Sequence, residues 1–188
     1  MWSTGRRVGA YWNLFIYVIV VVLALAALGP PLWRIVYPWP YREVIEQYAH
    51  VYGLDPHLVA AVIRVESSFR SHVTSPKGAR GLMQILPSTG AWIADQMGIA
   101  DFHEDRLFEP ELNVKMGTWY LQHLNEQFQR DLAVTLAAYN GGRGNVKNWL
   151  QQGIWSGERA DVAQIPFPET RHYVWRVLRT YAIYAELY

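Results

Sequence analysis

The sequence predicts an all-α domain preceded by one N-terminal membrane-spanning helix, and three observations lead there. From Tyr41 onward apolar residues recur at helical spacing, and no stretch sustains the alternation of a half-buried strand. Between Arg7 and Arg34 no residue is charged, and Tyr11 to Leu28 is almost wholly aliphatic or aromatic, close to the roughly 20 residues that cross a bilayer as a helix. Cysteine is absent, so no disulfide framework replaces a packed core, and about 150 residues can build one unaided.

These features divide the chain into a cytoplasmic N-terminus (1–10), a transmembrane helix (11–29), a Pro-rich connector (30–40) and a helical domain (41–188). Arg6 and Arg7 ahead of the apolar run favour a cytoplasmic N-terminus, which puts the domain outside the cytoplasm on a single-pass anchor. Trp12, Tyr17 and Trp33 suit the headgroup region. The competing reading is a cleaved signal peptide with Ala24-Leu25-Ala26 as its cleavage site, although the apolar stretch exceeds the usual h-region of about 7–15 residues. Gly29, Pro30, Pro31, Pro38 and Pro40 are expected to break any helix beyond the anchor and to form a short stiff connector.

Within the domain, a first helix carries Val44, Ile45 and Tyr48 on one face and stops at Gly53, a C-terminal cap. Asp55-Pro56 supplies an N-cap and a proline at the first helical position, and Leu58, Val59, Val62 and Ile63 form the buried stripe of a second helix that ends near Glu66. Ser67 to Arg80 reads as a loop. Further helices are expected over Pro87–Met97, Pro110–Phe128, Leu132–Tyr139 and Val146–Gln151. A last one runs from about Pro168 to the C-terminus and buries Tyr173, Val174, Val177, Leu178 and Tyr181.

Setting aside Arg6, Arg7 and Arg34, 14 basic residues face 16 acidic ones, and a domain with no surplus of cations is a poor nucleic-acid binder. The six histidines show no metal-ligand spacing, and no cofactor is expected. Gly141, Gly142 and Gly144 precede no G-K-[ST] and follow no strand, so they are not read as a phosphate loop. Arg171, Arg176 and Arg179 are read as a solvated face of the last helix, and the acids from Asp101 to Glu111 as capping or solubilising a connector. The 9 Trp and 12 Tyr suit both a core and a sugar-binding groove.

Glu66 is the candidate for chemistry. It sits where its helix ends, at the negative pole of the macrodipole, beside the apolar Val65 and Phe69. Both the pole and partial burial raise a carboxyl pKa, keeping a proton available to a leaving oxygen near neutral pH.

Three blocks frame this residue: VIRVESSFRSHVTSPKGARGLMQILPST, then LAAYNGGRGNVKNWL, then IPFPETRHYVWRVL. Together and in this order they resemble the sequence blocks of the soluble-lytic-transglycosylase family, whose catalytic domain has a goose-lysozyme-like fold, and the likeness covers Tyr41 to Tyr188. It implies cleavage of the MurNAc-β-1,4-GlcNAc bond of peptidoglycan without water, giving 1,6-anhydromuramoyl ends. Glu66 falls on the family's catalytic glutamate and Ser75 on its motif serine. Gly81, Leu82, Met83 and Gln84 fall on groove-wall positions, with Gln84 as a polar contact, and Leu86 stands where some relatives carry methionine. Tyr139 and Asn140 fall beside the reacting sugar, and Glu169 and Tyr173 in the final motif. Several of these positions have a plainer reading as well. Glu169 equally starts a helix, Tyr139 ends one, Ser75 serves a turn before Pro76, and Leu82 and Met83 serve a core.

The chemistry that the resemblance implies needs one acid where ordinary glycosidases need two. The sugar's 6-hydroxyl attacks C1, and the same glutamate first gives and then takes a proton, while Tyr139 and Asn140 ease the developing charge. Two other readings remain. In one, a hydrolytic muramidase uses Asp95 or Glu104 to position water; in the other, an inactive glycan-binding module anchors a wall assembly. The expected partners are peptidoglycan glycan strands and the membrane, with cell-wall synthesis or secretion machinery as further candidates.

Overall fold

A computed structural model describes residues 15–21, 32–129 and 131–188. The chain forms two compact units that meet in sequence at Trp39–Pro40.

In the first unit, residues 15–21 and 32–36 are helical. Phe15, Tyr17, Val20, Trp33 and Ile35 are exposed, apolar surface that a water-facing element normally buries. Of the expected span 11–29, all but 15–21 lies outside the described residues, and among those described no helix is long and apolar enough to cross a membrane. The expected connector is not irregular throughout. Residues 32–36 hold a helical turn because Leu32 to Tyr37 contains no breaker, so the prolines bracket helix rather than exclude it.

The second unit is helical: α1 (Arg42–Tyr52), α2 (Pro56–Glu66), α3 (Pro87–Met97), α4 (Pro110–Gln127), α5 (Leu132–Gly141), α6 (Arg143–Gln151) and α7 (Pro168–Leu187). Short 3₁₀ segments, Glu104–Phe108 and Arg159–Gln164, fill two connectors that the sequence leaves unassigned. Gly53 caps α1 in the left-handed region at φ 69°, and Asp55 caps α2 by accepting from His57 N at 2.8 Å. α4 is the hub of the domain, packing on α1, α3, α5 and the first 3₁₀ segment. It buries Leu112, Val114, Met116, Leu121 and Leu124. Gly117 lets it approach the preceding loop, since a Cβ there would lie 2.4 Å from Met83 Sδ.

α5 and α6 are longer than expected and only Gly142 parts them. Propensity marks Asn-Gly-Gly-Arg-Gly as loop, but burial of Val146 and Trp149 draws the helix start back to Arg143. Tyr181 is only half-buried; Tyr184 takes its place in the core, and the Tyr181 hydroxyl instead donates to Asp55 Oδ2 at 2.6 Å. The acids between Asp101 and Glu111 do more than solubilise a connector. Glu104 and Asp105 pair with Arg80, Asp101 and Glu109 pair with Arg106, and Glu111 accepts from the Tyr48 hydroxyl.

Candidate active site

Four segments converge on one cleft: the end of α2, the loop between α2 and α3, the end of α5 and the start of α7. Glu66 is the last residue of α2, whose buried run from Leu58 to Ile63 fixes the helix in the core. Ser68 and Phe69 then turn the chain with φ of 53° and 62°, left-handed values that non-glycine residues adopt only under constraint. The constraint is the Phe69 ring, buried edge-on against Tyr184 of α7 at 6.4 Å between centroids.

The loop is closed by bridges of Arg80 with Thr74 and Ile85 and pinned from beneath by the buried Asn113 of α4. Asn113 Oδ1 accepts from Met83 N at 2.7 Å, while its Nδ2 donates to Leu107 O at 2.7 Å and Arg80 O at 3.1 Å. Gly81, at φ 79°, lies so close that a Cβ would stand 2.1 Å from Leu107 O. Ser75 closes a turn, its Oγ accepting from Ala79 N at 3.0 Å. The Gln84 side-chain amide donates to Gly81 O and Val73 O.

From α5, the Tyr139 hydroxyl donates to Met83 O at 2.8 Å, tying helix to loop under the cleft. Asn140 Oδ1 accepts from Thr170 Oγ1 of α7 at 2.8 Å. At the mouth, Lys77 Nζ and Glu169 Oε2 meet at 2.6 Å.

The cleft holds about 260 Å³ and is lined by Glu66, Ser75, Lys77, Gln84, Leu86, Tyr139, Asn140 and Glu169, with Pro76 and Ala79. A second hollow of about 250 Å³ shares Gln84, Leu86, Tyr139 and Asn140 and adds Thr89, Tyr120 and Gly141. Joined, the two form one groove within the roughly 300–1,000 Å³ of small-molecule sites.

Seven of the ten expected site residues therefore line the groove: Glu66, Ser75, Gln84, Leu86, Tyr139, Asn140 and Glu169. Three stand behind it. Gly81 and Met83 are buried and contribute backbone, Gly81 because no side chain fits and Met83 because its side chain fills the gap over Gly117. Tyr173 is buried beneath Glu66; its hydroxyl makes no hydrogen bond of ordinary length and angle, yet it lies close enough to act on the carboxyl. Neither Asp95, which accepts from Gln96, nor Glu104, paired with Arg80, lines the cleft. Sequence reasoning missed Lys77, Thr170 and Tyr120. Lys77 and Thr170 lie inside the quoted blocks, whereas Tyr120 sits in a helical pattern that gives no sign of it.

Burial pushes the Glu66 carboxyl up to about 7; the Tyr173 hydroxyl and the Arg176 charge oppose that rise and Glu169 adds to it. The direction is the one its surroundings suggest, and desolvation leads it. Glu66 remains accessible from the cleft side, so the group is both desolvated and reachable. Tyr139 and Tyr173 are raised well above the usual phenol range, by burial and then by the nearby Glu66, and stay neutral at any working pH. Arg176 is not simply solvated: its guanidinium donates to Val65 O at 3.3 Å, and Arg171 donates to Ile165 O at 2.8 Å.

The domain is thus all-helical and presents a half-buried acid in a groove with polar side chains. Residues 43–162 match the family described as Transglycosylase SLT domain, and the chain belongs to that family. It is 38% identical over 153 residues to the soluble lytic murein transglycosylase of Salmonella typhimurium, an alignment covering 79% of this chain and 23% of that protein. The 70 kDa soluble lytic transglycosylase of Escherichia coli superposes with a TM-score of 0.75 at 36% identity, over 80% of this chain and 25% of that one. The lytic transglycosylase Slt of Pseudomonas aeruginosa, solved as an inactive glutamate-to-glutamine mutant, gives 0.74 at 33% identity, over 81% and 25%. The chain thus spans about a quarter of the length of these relatives.

Proposed function

We propose that this protein is a peptidoglycan lytic transglycosylase that cleaves the MurNAc-β-1,4-GlcNAc bond without water and leaves 1,6-anhydromuramoyl ends. The observation that carries the reading is the Glu66 carboxyl, held at a pKa of about 7 on the floor of a groove. Protonated Glu66 gives its proton to the glycosidic oxygen as the C1–O bond breaks, and the released sugar leaves as an alcohol. The 6-hydroxyl oxygen of the muramoyl unit then bonds to C1 and surrenders its proton to the same carboxylate, which restores the starting state. Between the two steps positive charge spreads over C1 and the ring oxygen. Tyr139 spends its proton on Met83 O and so offers the groove an oxygen lone pair, and Asn140 adds an amide dipole. Ser75, Gln84 and Leu86 hold the sugar, while Gly81, Met83 and Tyr173 shape the groove from behind.

Glu169 is the observation that favours a hydrolytic muramidase, since it lines the same cleft and a second carboxylate is what water activation requires. It is exposed and committed to Lys77, however, which suits an electrostatic role better than a base. Product mass decides between the two. Purified peptidoglycan digested by the full chain in detergent should yield muropeptides lighter than hydrolysis products by the mass of a water molecule, and reducible ends in full yield would overturn the reading.

For its place in the cell, the charge-free run between Arg7 and Arg34 and the exposed apolar side chains at 15–20 support a single-pass anchor over 11–29. The cytoplasmic segment is then 1–10, the linker 30–40, and the domain from Tyr41 works in the wall space.

A further inference from the structure

The groove does not end at the second hollow. A third, lined by Ser88, Thr89, Trp92, Tyr120 and Arg143, shares Thr89 and Tyr120 with it. Along this path the rings follow one another: Tyr139 to Tyr120 at 5.6 Å, Tyr120 to Trp92 at 6.0 Å, and Trp92 to Trp119 at 5.7 Å and His123 at 5.4 Å. Trp119 and His123, one helical turn apart on α4, stack at 5.2 Å and border a further hollow with Tyr52, Gln122 and Glu126. None of Trp92, Trp119 and His123 is buried. Arg143 lies over the Trp92 ring at 5.1 Å, and Gln122, Glu126, Ser88 and Thr89 place polar groups around the rings. Partly exposed rings flanked by hydrogen-bonding side chains match a pyranose, whose C–H face packs on an aromatic ring while its hydroxyl and acetamido groups point outward.

We propose that Trp92, Trp119 and His123 form an accessory glycan platform, remote from the cleavage point, that holds the distal sugars of the same β-1,4-linked strand whose scissile bond lies over Glu66. The occupant follows from adjacency, because the hollow lined by Trp92 borders the groove and shares Thr89 and Tyr120 with it. This inference rests on the reading of the groove as a glycan site. Its consequence is a preference for long strands, with affinity gained sugar by sugar beyond those that fill the cleft.

The test measures binding of β-1,4-linked N-acetylglucosamine trimers and octamers to the whole 188-residue chain in detergent, in the Glu66→Gln background so that nothing is cleaved. The octamer should bind about tenfold or more tightly than the trimer, and Trp92→Ala with Trp119→Ala should bring the two affinities together. Should the alanine variants fail to fold, Trp92→Phe and Trp119→Phe keep a ring in place. They then identify the two indole N–H signals in the nuclear magnetic resonance spectrum of the Glu66→Gln chain with its tryptophans intact. The octamer should shift both signals and the trimer neither. Equal affinities for trimer and octamer before any Trp substitution, a length preference that survives both alanines, or unmoved indole signals would each overturn the platform. So would indole signals that move with phosphatidylglycerol vesicles but not with the octamer, which would mark the patch as a membrane surface. Undiminished cleavage of peptidoglycan by Glu66→Gln would instead defeat the catalytic reading and leave the length preference to be judged separately.

Discussion

On the loop side of the cleft, Gly81, Met83 and Asn113 fix the wall through backbone groups and buried contacts. On the helical side, Glu66, Tyr139, Asn140 and Glu169 all stand at helix ends, the first three at C-terminal ends and Glu169 in a first turn. A helix end can present a polar side chain without entrusting the fold to it, because the rest of the helix is already held in the core. A loop has no such reserve, and its geometry is the sum of its internal bonds. The difference teaches that substitutions of the loop's buried supports, Gly81, Met83 and Asn113, should act on stability, and those at the helix ends on rate and pH dependence.

The largest effect expected tests the helical side. Glu66→Gln removes the exchangeable proton and should lower turnover by about 10²–10⁴-fold, the usual worth of acid–base catalysis. It should also stabilise the fold at alkaline pH. The carboxyl's folded pKa of about 7 lies above its ordinary 4.5, so below 4.5 the group sets no difference between states. As pH rises from there to 7 the unfolded chain loses its proton first, and wild type loses stability. The variant escapes that loss, gaining at most about 3 kcal/mol at pH 8 and almost nothing at pH 4, as urea unfolding at the two pH values would register. A Glu66→Gln protein less stable at pH 8 would show that this helix end does serve the fold.

Asn113→Leu is the counterpart on the loop side. It leaves Met83 N and the Leu107 carbonyl without this partner in a buried place, while the Arg80 carbonyl keeps Ile85 N; the loss should destabilise by about 3 kcal/mol, read as a fall in thermal midpoint. Turnover per folded molecule should change little below that midpoint. A variant of native stability with lost turnover would erase the distinction between the walls.

That distinction also explains what was legible in the sequence. Helices announced by Asp55-Pro56, Pro87, Pro110 and Pro168 start where expected, because a proline at the first helical position declares itself locally. Glu66 was legible for the same reason: the end of an apolar stripe locates it. Met83 and Gly81 were not, since their quoted block says that they belong to the groove but not which face they turn toward it. That is decided by Asn113, thirty residues away in Met83's case, and by Gly117. The start of α6 at Arg143 and the half-exposure of Tyr181 escaped for a related reason, because tertiary packing overrode local propensity in one and a hydroxyl partner drew the ring outward in the other.

Tyr139 joins the two walls, and Tyr139→Phe should affect both modestly. Loss of the hydrogen bond to Met83 O should cost about 1 kcal/mol in unfolding free energy. Loss of the phenolic oxygen facing the groove should slow turnover about tenfold. A stability loss with unaltered turnover would assign the residue to the loop wall alone.

The smallest and most discriminating effect is at Glu169. Its pairing with Lys77 is exposed, so Glu169→Gln should move stability by no more than about 1 kcal/mol. Its charge nevertheless raises the Glu66 carboxyl, and removing it leaves Lys77 uncompensated at the mouth; both changes favour the carboxylate. The folded pKa of Glu66 should fall, and because the reaction begins from the protonated acid, the alkaline limb of kcat/KM should shift to lower pH with the acidic plateau intact. A water-activating base would give the opposite signature. Its amide replacement would abolish turnover at every pH and leave no limb to shift. The pH profile of one exposed residue therefore separates an acid that tunes the chemistry from one that performs it.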